Sequence, residues 1–130
     1  MSFIDRIVRA VAPGRKPKND GAAAEELAAD YLARRGLRLL ARNYRVRGGE
    51  IDLICEDGDS LVFVEVRLRR NSHYGGAGAS VTPTKQRRLI LAAQHYLQTV
   101  GEQHCRFDCV LLSVLDESGL EWIRNAFSAD

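Results

Sequence analysis

The stretch "LVFVEVRLRR" (residues 61–70) decides the fold, because a buried strand and a charge meet in it. Residues 61–64 and Val66 are the aliphatic, aromatic and β-branched types that fill the central strands of a sheet. Glu65 interrupts this apolar run. An ionised carboxylate in such surroundings costs roughly several kcal/mol unless a cation, hydrogen bonds or a metal ion compensates its charge. The sequence therefore predicts a buried strand that carries a compensated acid.

The segment before this strand predicts a helix followed by antiparallel strands. Residues 21–36 are rich in alanine, acidic at their start and basic at their end, and Gly36 closes the predicted helix. Extended segments follow, and "DGDS" (57–60) is typical of a turn. This turn predicts a hairpin between residues 50–56 and 61–68.

The segment after it predicts a second helix and a return to the sheet. Beyond the glycine-rich residues 71–80, Thr82 and Pro83 supply an N-cap and the first residue of a helix that ends near residue 98. Its predicted buried face consists of Leu89, Ala92, Ala93, Tyr96 and Leu97. One or two strands then complete the sheet, at 106–115 and 120–127. We expect an α/β fold in which helices flank a central mixed sheet, in the order α-β-β-β-α-β.

Length and composition predict a single cytoplasmic domain. The chain has 130 residues, of which 45% are hydrophobic and 28% charged. Residues 1–20 read as a short amphipathic arm and a linker, and residues 21–130 as the domain. The arm lacks the apolar run of a signal peptide, and no stretch reaches the ~20 apolar residues of a membrane span. We therefore expect no membrane partner.

The three cysteines, Cys55, Cys105 and Cys109, show no disulfide framework, which favours a reducing compartment. His104 beside Cys105, with Cys109, is compatible with a partial zinc site. Small buried thiols on one face of a strand explain the alternating Cys105 and Cys109 better. We therefore predict buried, metal-free cysteines.

The positive charges are clustered although the formal net charge is only +2. Residues 34–47 contain six arginines and no acid, and further basic clusters lie at 67–70 and 85–88. Such patches suit a polyanion. The alternative for any one cluster is a solvated arginine face. The candidate nucleic-acid contacts are Arg42, Arg45, Arg47, Arg69, Arg70, Lys85 and Arg88.

A second acid in an apolar setting, Asp52 between Ile51 and Leu53, points to a site. Neighbouring antiparallel strands bring Asp52 close to Glu65, and two adjacent carboxylates repel unless a proton or a cation intervenes. Mg²⁺ and similar hard ions prefer one or two carboxylates together with waters and phosphate oxygens. The alternative is a structural arrangement in which each acid pairs with an arginine such as Arg45 or Arg47.

Five segments, taken in order, resemble a known family. They are "GAAAEELAADYL", "RNYRVRGGEIDLI", "LVFVEVRLR", "VTPTKQRRL" and "RFDCVLL", and together they cover about residues 21–114. They look like the YraN-type family of bacterial proteins, which is regarded as endonuclease-like and related to archaeal Holliday-junction resolvases. The acids and the Glu-x-Arg pattern resemble the wider PD-(D/E)xK nuclease superfamily.

The resemblance implies a restriction-endonuclease-like core and a set of site residues. Glu25, Asp52 and Glu65 match the superfamily's metal-binding acids, with Mg²⁺ or Mn²⁺ as the cofactor. Arg67 stands where the superfamily usually has Lys, and Gln86 matches a polar residue that faces the site from the second helix. Arg67 can clamp a phosphate, but it stays protonated and is therefore a poor base. Homodimerisation is expected by analogy with the resolvases.

Three functions fit these residues. The first is a metal-dependent endonuclease that acts on branched or structured DNA, with Asp52, Glu65, Arg67 and Gln86 as catalytic residues. The second is a nucleic-acid-binding protein on a nuclease fold that has lost turnover, which Arg67 favours. The third is a scaffold protein whose acids and arginines only pair with one another.

Overall fold

The structure, a computed structural model, describes residues 18–69 and 81–129. It is α/β, and the predicted element order is confirmed. The elements are α1 (Asp20–Arg34), β1 (Arg38–Val46), β2 (Gly49–Asp57), β3 (Ser60–Leu68), α2 (Pro83–Val100), β4 (Cys105–Leu112), a short 3₁₀ helix (Glu117–Gly119) and β5 (Leu120–Phe127). The predicted N-terminal arm, most of its linker, Arg70 and the glycine-rich segment lie outside the described residues.

Both helices start at side chains that cap them. The Asn19 side chain accepts a hydrogen bond from the backbone N–H of Ala22, so α1 begins one residue before the predicted start. Thr82 caps α2 as predicted, because its hydroxyl accepts from the backbone N–H of Lys85 at 3.2 Å. Gly36 follows α1 with a φ of 96°, a conformation that glycine adopts without strain.

The described strands form one sheet in the order β1-β2-β3-β4-β5. Consecutive strands are antiparallel except β3 and β4, which are parallel and are joined through α2. The predicted hairpin of β2 and β3 and the mixed sheet are both confirmed. Strand β3 lies at the centre of the sheet and has the longest run of buried residues, which agrees with its apolar sequence.

Helices α1 and α2 cover opposite faces of the sheet. Val62 and Val64 of β3 belong to the hydrophobic cluster under α1, whereas Leu61 and Phe63 belong to the cluster under α2. Among the predicted residues of the α2 face, Leu89, Ala92 and Ala93 are buried, and Tyr96 and Leu97 are half-buried. No described helix combines the length and apolar composition needed to cross a membrane.

The prediction of buried cysteines is right for two of the three. Cys55 and Cys109 are buried, whereas Cys105 is exposed, and all three are free thiols. Cys105 is the first residue of β4, outside the two hydrophobic clusters, so that its position in the strand alternation does not bury it.

Candidate active site

Asp52 lies where β2 and β3 separate. The backbone pairing of these strands ends at Leu53 and Val64, and beyond this pair the Asp52 carboxylate makes the next hydrogen bond between the strands. Its Oδ2 accepts a hydrogen bond from the backbone N–H of Val66 at 2.8 Å. The Asp52 side chain thus replaces a backbone carbonyl as the acceptor for Val66. This hydrogen bond fixes the carboxylate at the end of the β2–β3 ladder, next to Glu65.

Glu65 is compensated by a lysine from the second helix. Its side chain is only 8% exposed, and Lys85 Nζ lies 3.0 Å from Glu65 Oε1. Lys85 stands in the first turn of α2, directly after the cap that Thr82 provides. The compensation that the sequence predicts for the charge of Glu65 therefore comes from a lysine, and not from Arg45 or Arg47 as in the structural alternative.

Asp52 lacks a corresponding cation. In the part of the chain that the structure describes, no Lys or Arg stands within ion-pair distance of Asp52. The pKa of Asp52 is raised to about 7, mainly by burial and then by the charge of Glu65, while the hydrogen bond from Val66 lowers it. The two acids therefore interact, as their placement on neighbouring strands predicts.

Glu25 approaches the acid pair from α1. Its charge contributes to the raised pKa of Asp52. Burial raises the pKa of Glu25 as well, while a hydrogen bond with the Asn43 side chain and the charge of Arg42 counteract this effect. Asn43 has a φ of 48° on β1, a left-handed conformation that asparagine tolerates and that turns its side chain toward Glu25. Glu25 is thus part of the acidic environment.

The acids fit a divalent ion as a pair. Among the described residues, no three Asp, Glu, His or Cys side chains are grouped closely enough to form a metal site. A set of Glu25, Asp52 and Glu65 in direct contact with one ion therefore remains a prediction. Two carboxylates, of which half-buried Asp52 has no cation partner among the described residues, match the ligands that Mg²⁺ takes from proteins. Mg²⁺ bound in this way keeps further coordination positions for water and phosphate.

Arg67 lies on the same side of β3 as Glu65. In the parallel ladder Glu65 pairs with Cys109, and Arg67 pairs with Leu111. The pKa of the buried Cys109 thiol is raised to about 12, mainly by burial and then by the charge of Glu65, with a smaller rise from Asp52, while Arg67 and Lys85 lower it. The charges of both acids and both cations therefore act on one buried thiol. Arg67 Nε is buried without a hydrogen-bond partner in the described residues, which leaves it a free donor.

Gln86 is engaged elsewhere. Its side-chain amide donates to the carbonyl oxygen of Val81 at 2.9 Å, at the start of its own helix. It is also absent from the lining of the pocket beside Glu65. The catalytic role that the resemblance implies for Gln86 stays a prediction.

A pocket of about 230 Å³ opens beside Glu65. It is lined by Glu50, Glu65, Thr84, Lys85, Arg88 and Leu89. Glu50 and Thr84 were not among the predicted site residues. The sequence signal for Glu50 is its position two residues before Asp52 on the same strand, where it also raises the pKa of Asp52.

The predicted nucleic-acid contacts are in different situations. Arg88 lines the pocket, and Arg47 is exposed beside the turn that follows β1. Arg45 is 71% exposed and pairs with Glu50 across the strands at 3.4 Å. Arg42 has a buried Nε without a partner among the described residues. The other two within the described residues are Lys85, which contacts Glu65, and Arg69, whose backbone N–H donates to the carbonyl oxygen of Leu112.

Each helix contributes one charged side chain to the acid pair. The first turn of α2 carries Lys85, which contacts Glu65, and the second turn of α1 carries Glu25, whose charge acts on Asp52. Because α1 and α2 cover opposite faces of the sheet, these side chains come to the acid pair from helices on opposite sides.

A second buried acid, Asp108, was missed by the sequence reasoning. It is 1% exposed and accepts hydrogen bonds from Arg106 Nε, Trp122 Nε1 and the backbone N–H of Asn125. Its position in the apolar run of β4 carries the same signal as Glu65 in β3. Its charge is fully hydrogen-bonded, and we regard it as a structural link between β4 and β5.

Comparison with known proteins places the chain in one family. Residues 24–112 match the family described as "Uncharacterised protein family UPF0102". A UPF0102 protein of Dechloromonas aromatica is 61% identical over 110 residues, which are 85% of this chain and 89% of that protein. A UPF0102 protein of Methylobacillus flagellatus is 53% identical over 112 residues, 86% of this chain and 99% of that protein. The resemblance to the YraN-type family is confirmed, and the chain belongs to the uncharacterised protein family UPF0102.

Proposed function

We propose that this protein is a divalent-metal-dependent endonuclease that hydrolyses phosphodiester bonds in branched or structured DNA. The observation that carries the proposal is the acid pair where β2 and β3 separate: half-buried Asp52 lies beside buried Glu65, and no described Lys or Arg pairs with Asp52. A structural role alone does not explain why two acids are placed where their charges oppose each other. The choice of DNA as substrate follows the resemblance to the resolvases.

Each group at the site has a proposed task. Asp52 and Glu65 hold a Mg²⁺ or Mn²⁺ ion, which when bound polarises the phosphodiester and activates water. Glu25 strengthens the negative potential that attracts the ion. Arg67, on the same side of β3 as Glu65, supplies a permanent positive charge that stabilises the charge developing on the phosphate during attack.

The experiment is cleavage of labelled linear, single-stranded, flap and four-way DNA in Mn²⁺. The wild type is compared with Glu65→Ala and with Glu56→Ala, an acid of β2 that pairs with Arg38 away from the site. We expect cleavage by the wild type and the Glu56 variant, whereas Glu65→Ala binds DNA without cutting it. Equal cleavage by Glu65→Ala contradicts the proposal.

A second function is favoured by one specific residue. Arg67 cannot lose a proton near neutral pH, unlike the lysine that the superfamily usually has there. The alternative is therefore a nucleic-acid-binding protein on a nuclease fold, without turnover. It predicts DNA affinity that falls by about tenfold or more between low and moderate salt, because phosphate contacts release counterions. Binding of intact DNA with this salt dependence, and no cleavage in Mn²⁺, supports the alternative.

A further inference from the structure

Lys85 forms an ion pair with Glu65, one of the two acids of the proposed metal site. We propose that Lys85 is an internal cation that occupies Glu65 in the free protein and exchanges with a divalent ion. In this exchange Lys85 leaves Glu65 when the ion binds, and its ammonium group turns to a phosphate of the nucleic acid. The inference rests on the proposed function and adds to it a coupling between metal binding and substrate binding.

The first support is geometric. Lys85 Nζ reaches Glu65 Oε1 at 3.0 Å, and Glu65 is almost fully buried while the Lys85 side chain is 37% exposed. The lysine therefore has access to solvent and to the pocket that both residues line. A buried carboxylate with a solvent-accessible, flexible cation is a pair that can separate without unfolding its surroundings.

The second support is the distribution of charge. A metal ion that binds Glu65 and Asp52 must replace the positive charge that Lys85 now supplies to one of them. Lys85 and the ion cannot both lie against the same oxygen, because like charges at that distance repel strongly. Bound Lys85 thus weakens metal binding in the free protein, and bound metal makes Lys85 available to an anion.

The third support is the position of Lys85 in α2. It is in the first turn, and the pocket that it lines with Glu65 is also lined by Thr84 and, one turn later, by Arg88. Once it has left Glu65, the ammonium group remains in this pocket beside the guanidinium of Arg88, and two cations favour a phosphate there. Lys85 is in this sense a positioning residue for Glu65 in one state and a phosphate contact in the other.

The test compares Mn²⁺ affinity and DNA affinity in Lys85→Met. Mn²⁺ binding to metal-stripped protein is measured by titration without nucleic acid. DNA affinity is measured on four-way DNA in Ca²⁺, a hard divalent ion that takes the same oxygen ligands and is used in place of Mn²⁺ to avoid cleavage. It is measured again in EDTA, where Lys85 stays on Glu65. Arg88→Met removes the same charge from the same pocket without touching Glu65 and is the matched control. Lys85→Gln, whose amide can still donate to Glu65, replaces Lys85→Met should the latter not fold.

We expect Lys85→Met to bind Mn²⁺ about tenfold more tightly than the wild type, since a hydrogen bond between charged groups no longer competes. The same variant should bind DNA about fivefold more weakly in Ca²⁺, through the loss of one phosphate contact, and should differ from the wild type by less than about twofold in EDTA. Arg88→Met should change Mn²⁺ affinity by less than about twofold. A merely structural role for Lys85 predicts weaker binding of both ligands, so the opposite signs are specific to the exchange.

Two other outcomes overturn the exchange and can be told apart. If the wild type binds Mn²⁺ and Lys85→Met binds it equally or less tightly, the exchange is wrong and the proposed metal site stands. If neither protein binds Mn²⁺, the proposed metal site is wrong and the exchange fails with it.

Discussion

Replacing Asp52 by asparagine should make the protein more stable above neutral pH while it removes nuclease activity. The asparagine side chain has nearly the same shape, and its carbonyl oxygen can accept the hydrogen bond that Val66 now donates to Asp52. The substitution therefore removes one negative charge and leaves the local backbone in place. It also relieves Glu65 of its like-charged neighbour.

The size and sign of the effect follow from the pKa of Asp52. This pKa is about 7 in the folded protein, compared with an ordinary value of 3.8, and burial is the main cause. The folded state thus keeps the proton to higher pH than the unfolded state, so wild-type stability falls from about pH 4 to pH 7 and is level above. A difference of about three pH units corresponds to about 4 kcal/mol. Relaxation of the site and entry of water reduce this free energy, and we expect Asp52→Asn to raise the free energy of unfolding by about 2 kcal/mol above pH 7.

The assay is urea unfolding in EDTA at pH 5 and pH 8, followed by the fluorescence of Trp122, the single tryptophan of the chain. Asp52→Asn should exceed the wild type in stability at pH 8, and the difference should shrink at pH 5. Glu50→Gln removes a charge from the same strand at a side chain that is 47% exposed, and it should change stability by less than about 1 kcal/mol. An Asp52→Asn protein that is no more stable than the wild type at pH 8 would refute the reasoning.

Three further predictions concern other residues. Asp108→Asn should destabilise the fold by about 3 kcal/mol, measured by the same unfolding assay, because buried donors such as Trp122 Nε1 lose a charged acceptor; a loss below about 1 kcal/mol contradicts this. Gly49→Ala should lower the melting temperature, since its Cβ would lie 2.3 Å from the carbonyl oxygen of Arg88 and β2 would have to move away from α2; an unchanged melting temperature is the opposing result. Arg67→Lys should raise the rate of DNA cleavage in Mn²⁺ by about tenfold, because a lysine, unlike an arginine, can be neutral and accept a proton from the attacking water. An equal or lower rate with folded protein would show that the guanidinium is the better group at this position.

The sequence predicted those features that depend on neighbours along the chain. The hairpin, the cap at Thr82 and the burial of β3 follow from turn residues, a capping pair and an apolar run, and all are confirmed. The proximity of Asp52 and Glu65 was predictable for the same reason, because a short turn fixes which strands are adjacent. The ending of the ladder at Leu53 was not, since it depends on a side chain that replaces a backbone acceptor.

Contacts across the crossover from β3 to β4 could not be predicted. Lys85 reaches Glu65 only because α2 packs over the sheet with its first turn at this end, and nothing in the spacing of the two residues determines that angle. Which oxygen accepts from the Gln86 amide, here the carbonyl of Val81, depends on the same placement of the first turn of α2. Asp108 could have been recognised as a buried acid from its apolar neighbours, but its donors on β5 depend on the register between the last two strands.

The parallel pairing of β3 and β4 has a consequence for the order in which the protein folds. Strands β1 to β3 pair through two short turns, whereas β4 joins β3 only after the whole crossover, with α2, has closed. Closing this longer loop costs more chain entropy than closing either hairpin, so we expect it to follow them in time. Glu65 lies before the crossover and Lys85 within it. A nascent chain that has formed only the three-stranded meander thus carries its acids uncompensated, and the site acquires its balance of charge in the last step of folding.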